Sequence, residues 1–61
     1  MSIINYYGAC FVGTKYRVCR FSKTGKRYPT DSMEFDNFED CDKAAKWFAD
    51  NYKNGIYLNM R

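Results

Sequence analysis

The chain has 61 residues, a net charge of +3, three cysteines and no histidine. Its length predicts one domain (residues 1–61). Without histidine it lacks the usual catalytic base near neutral pH. The odd number of cysteines argues against a disulfide scaffold, residues 1–8 lack the basic and apolar regions of a signal peptide, and no apolar run is long enough to cross a membrane. We therefore expect a soluble, cytoplasmic protein that is not an enzyme, keeps its thiols reduced and buried, and needs no cofactor or metal.

The first part of the chain predicts a β-hairpin. Residues 3–12 and 15–22 are rich in aromatic and β-branched side chains, and a glycine and a threonine between them suit a tight turn. If Val12 pairs with Lys15, one face is more apolar and is expected to meet the helix. That face carries Tyr7, Ala9, Phe11, Tyr16 and Val18. Arg20 falls on it by parity, so either a bulge resets the register or Arg20 lies at the sheet edge and reaches water.

The strands that follow are predicted to be shorter. Gly25 is expected to take a positive φ in the next turn, and residues 26–28 begin a third strand that Pro29 interrupts or places at an edge. Residues 33–36 alternate apolar and acidic side chains, which is typical of a half-buried strand. Its inward residues would be Met33 and Phe35.

The clearest pattern is a helix over residues 38–52, because apolar residues recur there at a spacing of three and four. They are Phe38, Cys41, Ala45, Phe48 and Tyr52. Asn37 or Asp40 can cap its amino end, and Gly55, in the left-handed conformation, follows its carboxyl end.

Residues 56–60 alternate again and predict a short last strand. The expected fold class is α+β, with a three- to four-stranded antiparallel sheet and one helix packed on one face (β-β-β-α, possible final β). Its core should contain Tyr7, Phe11, Tyr16, Val18, Phe35, Phe38, Cys41, Ala45, Phe48 and Tyr52.

Charge is distributed unevenly along the chain and gives the best functional signal. Residues 1–30 carry six bases and no acid, whereas residues 31–61 carry seven acids and four bases. Cations bind phosphates and aromatic rings stack on bases, so the basic half predicts a nucleic-acid surface. Its residues are Lys15, Arg17, Arg20, Lys23, Lys26, Arg27 and Tyr28. The alternative is a solvated sheet face that balances the acidic helix.

Trp47 supports a second functional hypothesis. It lies on the predicted helix away from the apolar stripe, among Asp40, Lys43 and Asp50. Either a neighbouring segment folds over it, or Trp47 anchors a protein partner and Tyr57 extends the same surface, since tryptophan is frequent among interface hot spots.

Three motifs, GTKYRVCR at 13–20, GKR at 25–27 and FEDCDKAA at 38–45, resemble the sheet-plus-helix DNA-binding domains of plant ethylene-response factors and the amino-terminal domains of tyrosine integrases. The resemblance implies that the sheet face away from the helix enters the DNA major groove. The residues at that face would be Lys15, Arg17, Cys19 and Phe21. Two of these are not polar base readers, and Glu34 and Asp36 of the strand predicted over residues 33–36 would repel phosphates.

In size and composition the chain also resembles small phage or mobile-element accessory proteins, which commonly bind and inhibit a host protein. The expected partner is therefore DNA or another nucleic acid, or alternatively a host protein. We expect a monomer or small homo-oligomer with no membrane partner.

Overall fold

The computed structural model describes residues 4–61, which form a four-stranded sheet and one helix. The elements are β1 (Asn5–Val12), β2 (Lys15–Phe21), β3 (Arg27–Pro29), α1 (Phe38–Asn51) and β4 (Gly55–Tyr57). The strand order is β3-β2-β1-β4. This confirms the α+β class with a final strand. Ile3, the predicted first residue of the first strand, lies outside the described residues.

The hairpin of β1 and β2 has the predicted register. Val12 pairs with Lys15 at the turn, the antiparallel ladder continues without interruption to Tyr6 and Phe21, and Gly13 takes a φ of 69° between the strands. Because a bulge would shift this ladder, none resets the position of Arg20.

Arg20 pairs with Tyr7 and therefore lies on the sheet face that carries Tyr7 and Val18. β2 is an inner strand, with β3 on one side and β1 on the other. Neither of the two predicted explanations for Arg20, a bulge or an edge position, is correct. It is half-buried near the end of an inner strand.

The sheet is mixed, so the prediction of a wholly antiparallel sheet is wrong. β4 runs parallel to β1, with Gly55 opposite Asn5. The reason is the direction of α1, which returns the chain to the end of the sheet where β1 begins. The backbone N–H of Asn5 donates to the carbonyl oxygen of Asn54 over 2.9 Å, and a strand that starts there must run alongside β1.

The third predicted strand is confirmed at the sheet edge, whereas the segment after it forms less strand than expected. β3 lies at the sheet edge and ends at Pro29, where the missing N–H of proline is tolerated. Residues 33–36 form one isolated bridge, between Tyr16 and Phe35. The prediction that Met33 faces inward is wrong, since the residue is 72% exposed.

The ends of α1 are set by side-chain and backbone hydrogen bonds. Asn37 is the N-cap, and its Oδ1 accepts from the backbone N–H of Asp40 over 2.9 Å, which decides between the two predicted caps. The helix ends at Asn51, one residue before the predicted end, and Tyr52 follows in an extended conformation. The left-handed residue is Asn54, with a φ of 60°, and not Gly55 as predicted.

The core joins α1 to one face of the hairpin. The fully enclosed cluster consists of Tyr7, Ala9, Val18, Cys41 and Ala45. Partly buried side chains surround it, namely Tyr16, Phe35, Phe38, Ala44, Phe48, Ala49 and Tyr57. Eight of the ten predicted core residues belong to these two sets.

Phe11 and Tyr52 are the two core predictions that are wrong, since they are 55% and 49% exposed. Phe11 lies near the hairpin turn and contacts Tyr16 edge to face, with 5.0 Å between ring centres. Tyr52 follows the last helical residue, and its extended backbone takes it off the helical stripe on which its prediction depended.

All three cysteines are free and buried. Burial raises the pKa of the Cys19 and Cys41 thiols to about 11. Thiolates are the reactive form of cysteine, so these thiols are poor nucleophiles in the folded protein.

Candidate functional site

The predicted nucleic-acid surface is divided by the fold. Lys15 forms a hydrogen-bonded ion pair with Asp36, and the Arg17 guanidinium lies 3.9 Å from Oε1 of Glu34. The bridge at Tyr16 brings this acidic segment alongside the start of β2. The hydrogen bond raises the pKa of Lys15 and lowers the pKa of Asp36. The positive charge on this face of the hairpin is therefore largely offset.

Three other predicted cations, Lys23, Lys26 and Arg27, stay exposed around the turn between β2 and β3. Gly25 takes a φ of 87° in this turn, as predicted, and Ser22 Oγ accepts from the backbone N–H of Lys26 over 3.2 Å. Within residues 4–61, none of these cations has an acidic group within 4.0 Å. Positive charge therefore concentrates at this end of the sheet.

Arg20 and Tyr28 lie on the opposite sheet face from Arg17, because pairing alternates the faces along β2. The guanidinium carbon of Arg20 lies 4.9 Å from the centre of the Tyr28 ring. One of its nitrogens donates to Asn5 Oδ1 over 3.4 Å. The fold thus separates these two residues from the other predicted nucleic-acid contacts.

Trp47 is 56% exposed, so the interpretation in which a neighbouring segment covers it is wrong. Its ring contacts Phe48 and Tyr52 edge to face, with 5.5 Å and 6.4 Å between centres. Phe48 in turn stacks on Tyr7 of the core, with ring centres 5.7 Å apart. The exposed indole is therefore attached to the core through a continuous aromatic contact.

Next to the contacting rings of Phe48 and Tyr52 is a cleft of about 250 Å³, which we call the Arg20 cleft. It is lined by Tyr7, Arg20, Tyr28, Phe48, Tyr52 and the segment 29–31. Sequence reasoning placed Arg20 and Tyr28 on one surface and Trp47 on another. The alternation of side chains along the second strand could have indicated that the two surfaces adjoin, because it already placed Arg20 on the apolar face that was expected to meet the helix.

Tyr57 does not extend the surface of Trp47. Its hydroxyl donates to Asp42 Oδ1, and Lys46 Nζ lies 5.2 Å from its ring centre. The hydrogen bond to Asp42 raises the pKa of the Tyr57 hydroxyl. Tyr57 belongs to β4, which lies at the opposite sheet edge from β3. Its hydrogen bond to Asp42 ties β4 to α1.

No family model, curated protein or solved structure matches the chain. Among residues 4–61 no group of three cysteine or carboxylate side chains is placed to hold a metal ion. Over the same residues, no helix has the length and apolar character to cross a membrane. The function is therefore inferred from the geometry and charge of the two surfaces described above.

Proposed function

We propose that this protein is a non-enzymatic protein-binding module whose interface is centred on Trp47. The observation that carries the proposal is the exposure of Trp47 in direct contact with Tyr52, which is itself 49% exposed. Tryptophan and tyrosine supply a large share of binding energy at protein interfaces. A contiguous exposed apolar surface on a small domain is typical of an interaction site.

The interface residues are held in place before binding. Phe48 packs between Trp47 and the buried ring of Tyr7, which is only 3% exposed. The backbone carbonyl of Trp47 also accepts a hydrogen bond from Asn51 Nδ2 over 2.8 Å. Residues that are already ordered lose less conformational entropy on binding, which favours affinity.

The proposed partner is a host protein, which the module would inhibit or modulate by occupying its surface, in line with the compositional resemblance to phage and mobile-element accessory proteins. The proposed location is the cytoplasm. Three free cysteines suit a reducing compartment, because disulfides form and persist in oxidising ones.

The test compares tagged wild type with Trp47→Ala in pull-downs from host lysate, followed by calorimetry with the purified partner. Trp47→Ala should weaken binding by about 2 kcal/mol or more, roughly thirtyfold. Phe11→Ala is the matched control, since Phe11 is similarly exposed at 55% but lies near the hairpin turn. Equal affinity of Trp47→Ala and wild type for every captured protein would contradict the proposal.

A second candidate function is nucleic-acid binding, and above all DNA binding, by the turn between β2 and β3. It is favoured by the exposure of Lys23, Lys26 and Arg27 without acidic partners among residues 4–61. Their contacts would go to phosphates, which give affinity and salt dependence without sequence specificity.

A gel-shift titration at several salt concentrations tests this candidate. The double variant Lys26→Ala/Arg27→Ala should weaken binding and flatten its salt dependence. Lys15→Ala/Arg17→Ala is the control, because those two cations already face Asp36 and Glu34 and should contribute less. Absence of retardation by the wild type at low salt would exclude this candidate.

A further inference from the structure

Arg20 is a half-buried cation with few protein contacts for its charge. Among residues 4–61 its guanidinium has no carboxylate within 4.0 Å, and its one hydrogen bond, to Asn5 Oδ1, is long at 3.4 Å. A guanidinium has five N–H donors. Removing such a group partly from water is unfavourable unless a partner compensates it.

The surroundings of Arg20 hold the guanidinium in a defined orientation. Tyr28 lies against it at 4.9 Å, and the cleft that it lines is otherwise bounded mostly by aromatic rings and the segment 29–31. A planar guanidinium positioned in this way suits a planar carboxylate, which it can bind through two parallel hydrogen bonds.

Trp47 and Tyr52 provide the apolar half of the same surface. Tyr52 both lines the Arg20 cleft and contacts the Trp47 ring. An apolar side chain lying on these two rings would therefore place a neighbouring group of the same peptide near Arg20.

We propose that Arg20 binds a carboxylate of the partner, an aspartate or glutamate side chain next to an apolar residue that packs on Tyr52 and Trp47. This inference rests on the proposed protein-binding function and specifies the partner's chemistry. A nucleic-acid backbone fits this surface less well. Asp31 also lines the cleft and repels any anion, but a single carboxylate brings one charge that Arg20 can pair directly, whereas a run of phosphates brings several.

The inference is tested by NMR titration with two peptide probes, acetyl-Gly-Glu-Phe-Gly-amide and the same peptide with glutamine in place of glutamate. The side-chain N–H signals of Arg20 and Trp47 report on the two halves of the surface. With wild-type protein we expect the glutamate peptide to bind about fivefold more tightly. This ratio should fall to about one in Arg20→Gln, where the charge is gone.

Arg27→Gln is the matched control, because Arg27 is an exposed arginine that pairs with Phe21 and lies on the other sheet face. It should keep the wild-type ratio. If Arg20→Gln does not fold, Tyr28→Ala provides the test, since loss of the ring that holds the guanidinium should also reduce the ratio.

If wild type binds the two peptides equally and the chemical shift of the Trp47 side-chain N–H changes, the role of Arg20 is overturned. The protein-binding surface at Trp47 would then remain. If a thymidine hexanucleotide displaces the glutamate peptide from Arg20 at a concentration below that of the peptide, the carboxylate proposal is overturned in favour of nucleic acid. Failure of the proposed protein-binding function is detected by a different experiment, the comparison of wild type and Trp47→Ala in pull-downs of the partner.

Discussion

Gly55 lies directly against the backbone of Ala49, so that a Cβ atom at Gly55 would be 2.5 Å from the Ala49 carbonyl oxygen and 2.9 Å from its Cα. This close approach lets β4 start directly beneath the last turns of α1. Glycine is therefore required here by packing and not by a left-handed backbone, which belongs to Asn54.

We predict that Gly55→Ala lowers the free energy of unfolding by about 2 kcal/mol or more, because the backbone of α1 or β4 must shift to admit the methyl group. Gly13→Ala is the control. Gly13 has a φ of 69° and open space around it, so its substitution should cost only about 1 kcal/mol of left-handed strain. Urea denaturation measures both values. Equal costs for the two variants would show that packing against Ala49 is not the constraint.

Neighbouring positions on α1 should differ sharply in their effect on stability. Phe48→Ala removes a ring that stacks on Tyr7 and contacts Tyr52, and it should cost about 3 kcal/mol. Trp47→Ala removes a mostly exposed ring and should cost about 1 kcal/mol or less. Thermal melting of both variants checks the order. A larger loss of stability for Trp47→Ala would make Trp47 a structural residue.

The ion pair of Lys15 and Asp36 predicts a specific pH dependence. Its hydrogen bond lowers the pKa of Asp36 in the folded state. The contribution of the ion pair to folding stability is therefore complete above the ordinary carboxyl pKa. It is lost as the pH falls through the lowered pKa that Asp36 has in the folded state. In Lys15→Gln the Asp36 pKa should rise towards its ordinary value, as measured by carbon-detected NMR of the carboxyl group.

Lys23→Gln is the control for this titration, because Lys23 lies in the turn between β2 and β3, beyond the end of β2 opposite to Lys15. The Asp36 pKa should be the same in this variant as in wild type. An unchanged Asp36 pKa in Lys15→Gln would mean that the pair does not form in solution.

The buried thiols should be unreactive in the native protein. Cys19 and Cys41 are fully buried, and burial raises their pKa to about 11. We expect a disulfide reagent at pH 8 to label them only at the rate of unfolding, since neither thiolate nor access is available otherwise. Denatured protein is the control and should react at once. Rapid labelling of either residue in native protein would contradict the packing of the core.

Features that depend on residues close in the chain could be predicted from the sequence. The register of β1 and β2 follows from a two-residue turn and from alternation, and the start of α1 follows from the cap at Asn37. The positive φ of Gly25 follows from the conformational freedom of glycine. In each case the interacting groups lie within a few residues, so local rules decide the outcome.

The functional surface was decided by contacts between residues far apart in the chain. The neutralisation of Lys15 by Asp36 depends on a loop that returns to β2, and the cleft at Arg20 depends on where α1 crosses the sheet. Exposure of Trp47 likewise depends on the paths of neighbouring segments. Periodicity specifies which face of an element is apolar, but the position of that face relative to other elements is set only when the core packs.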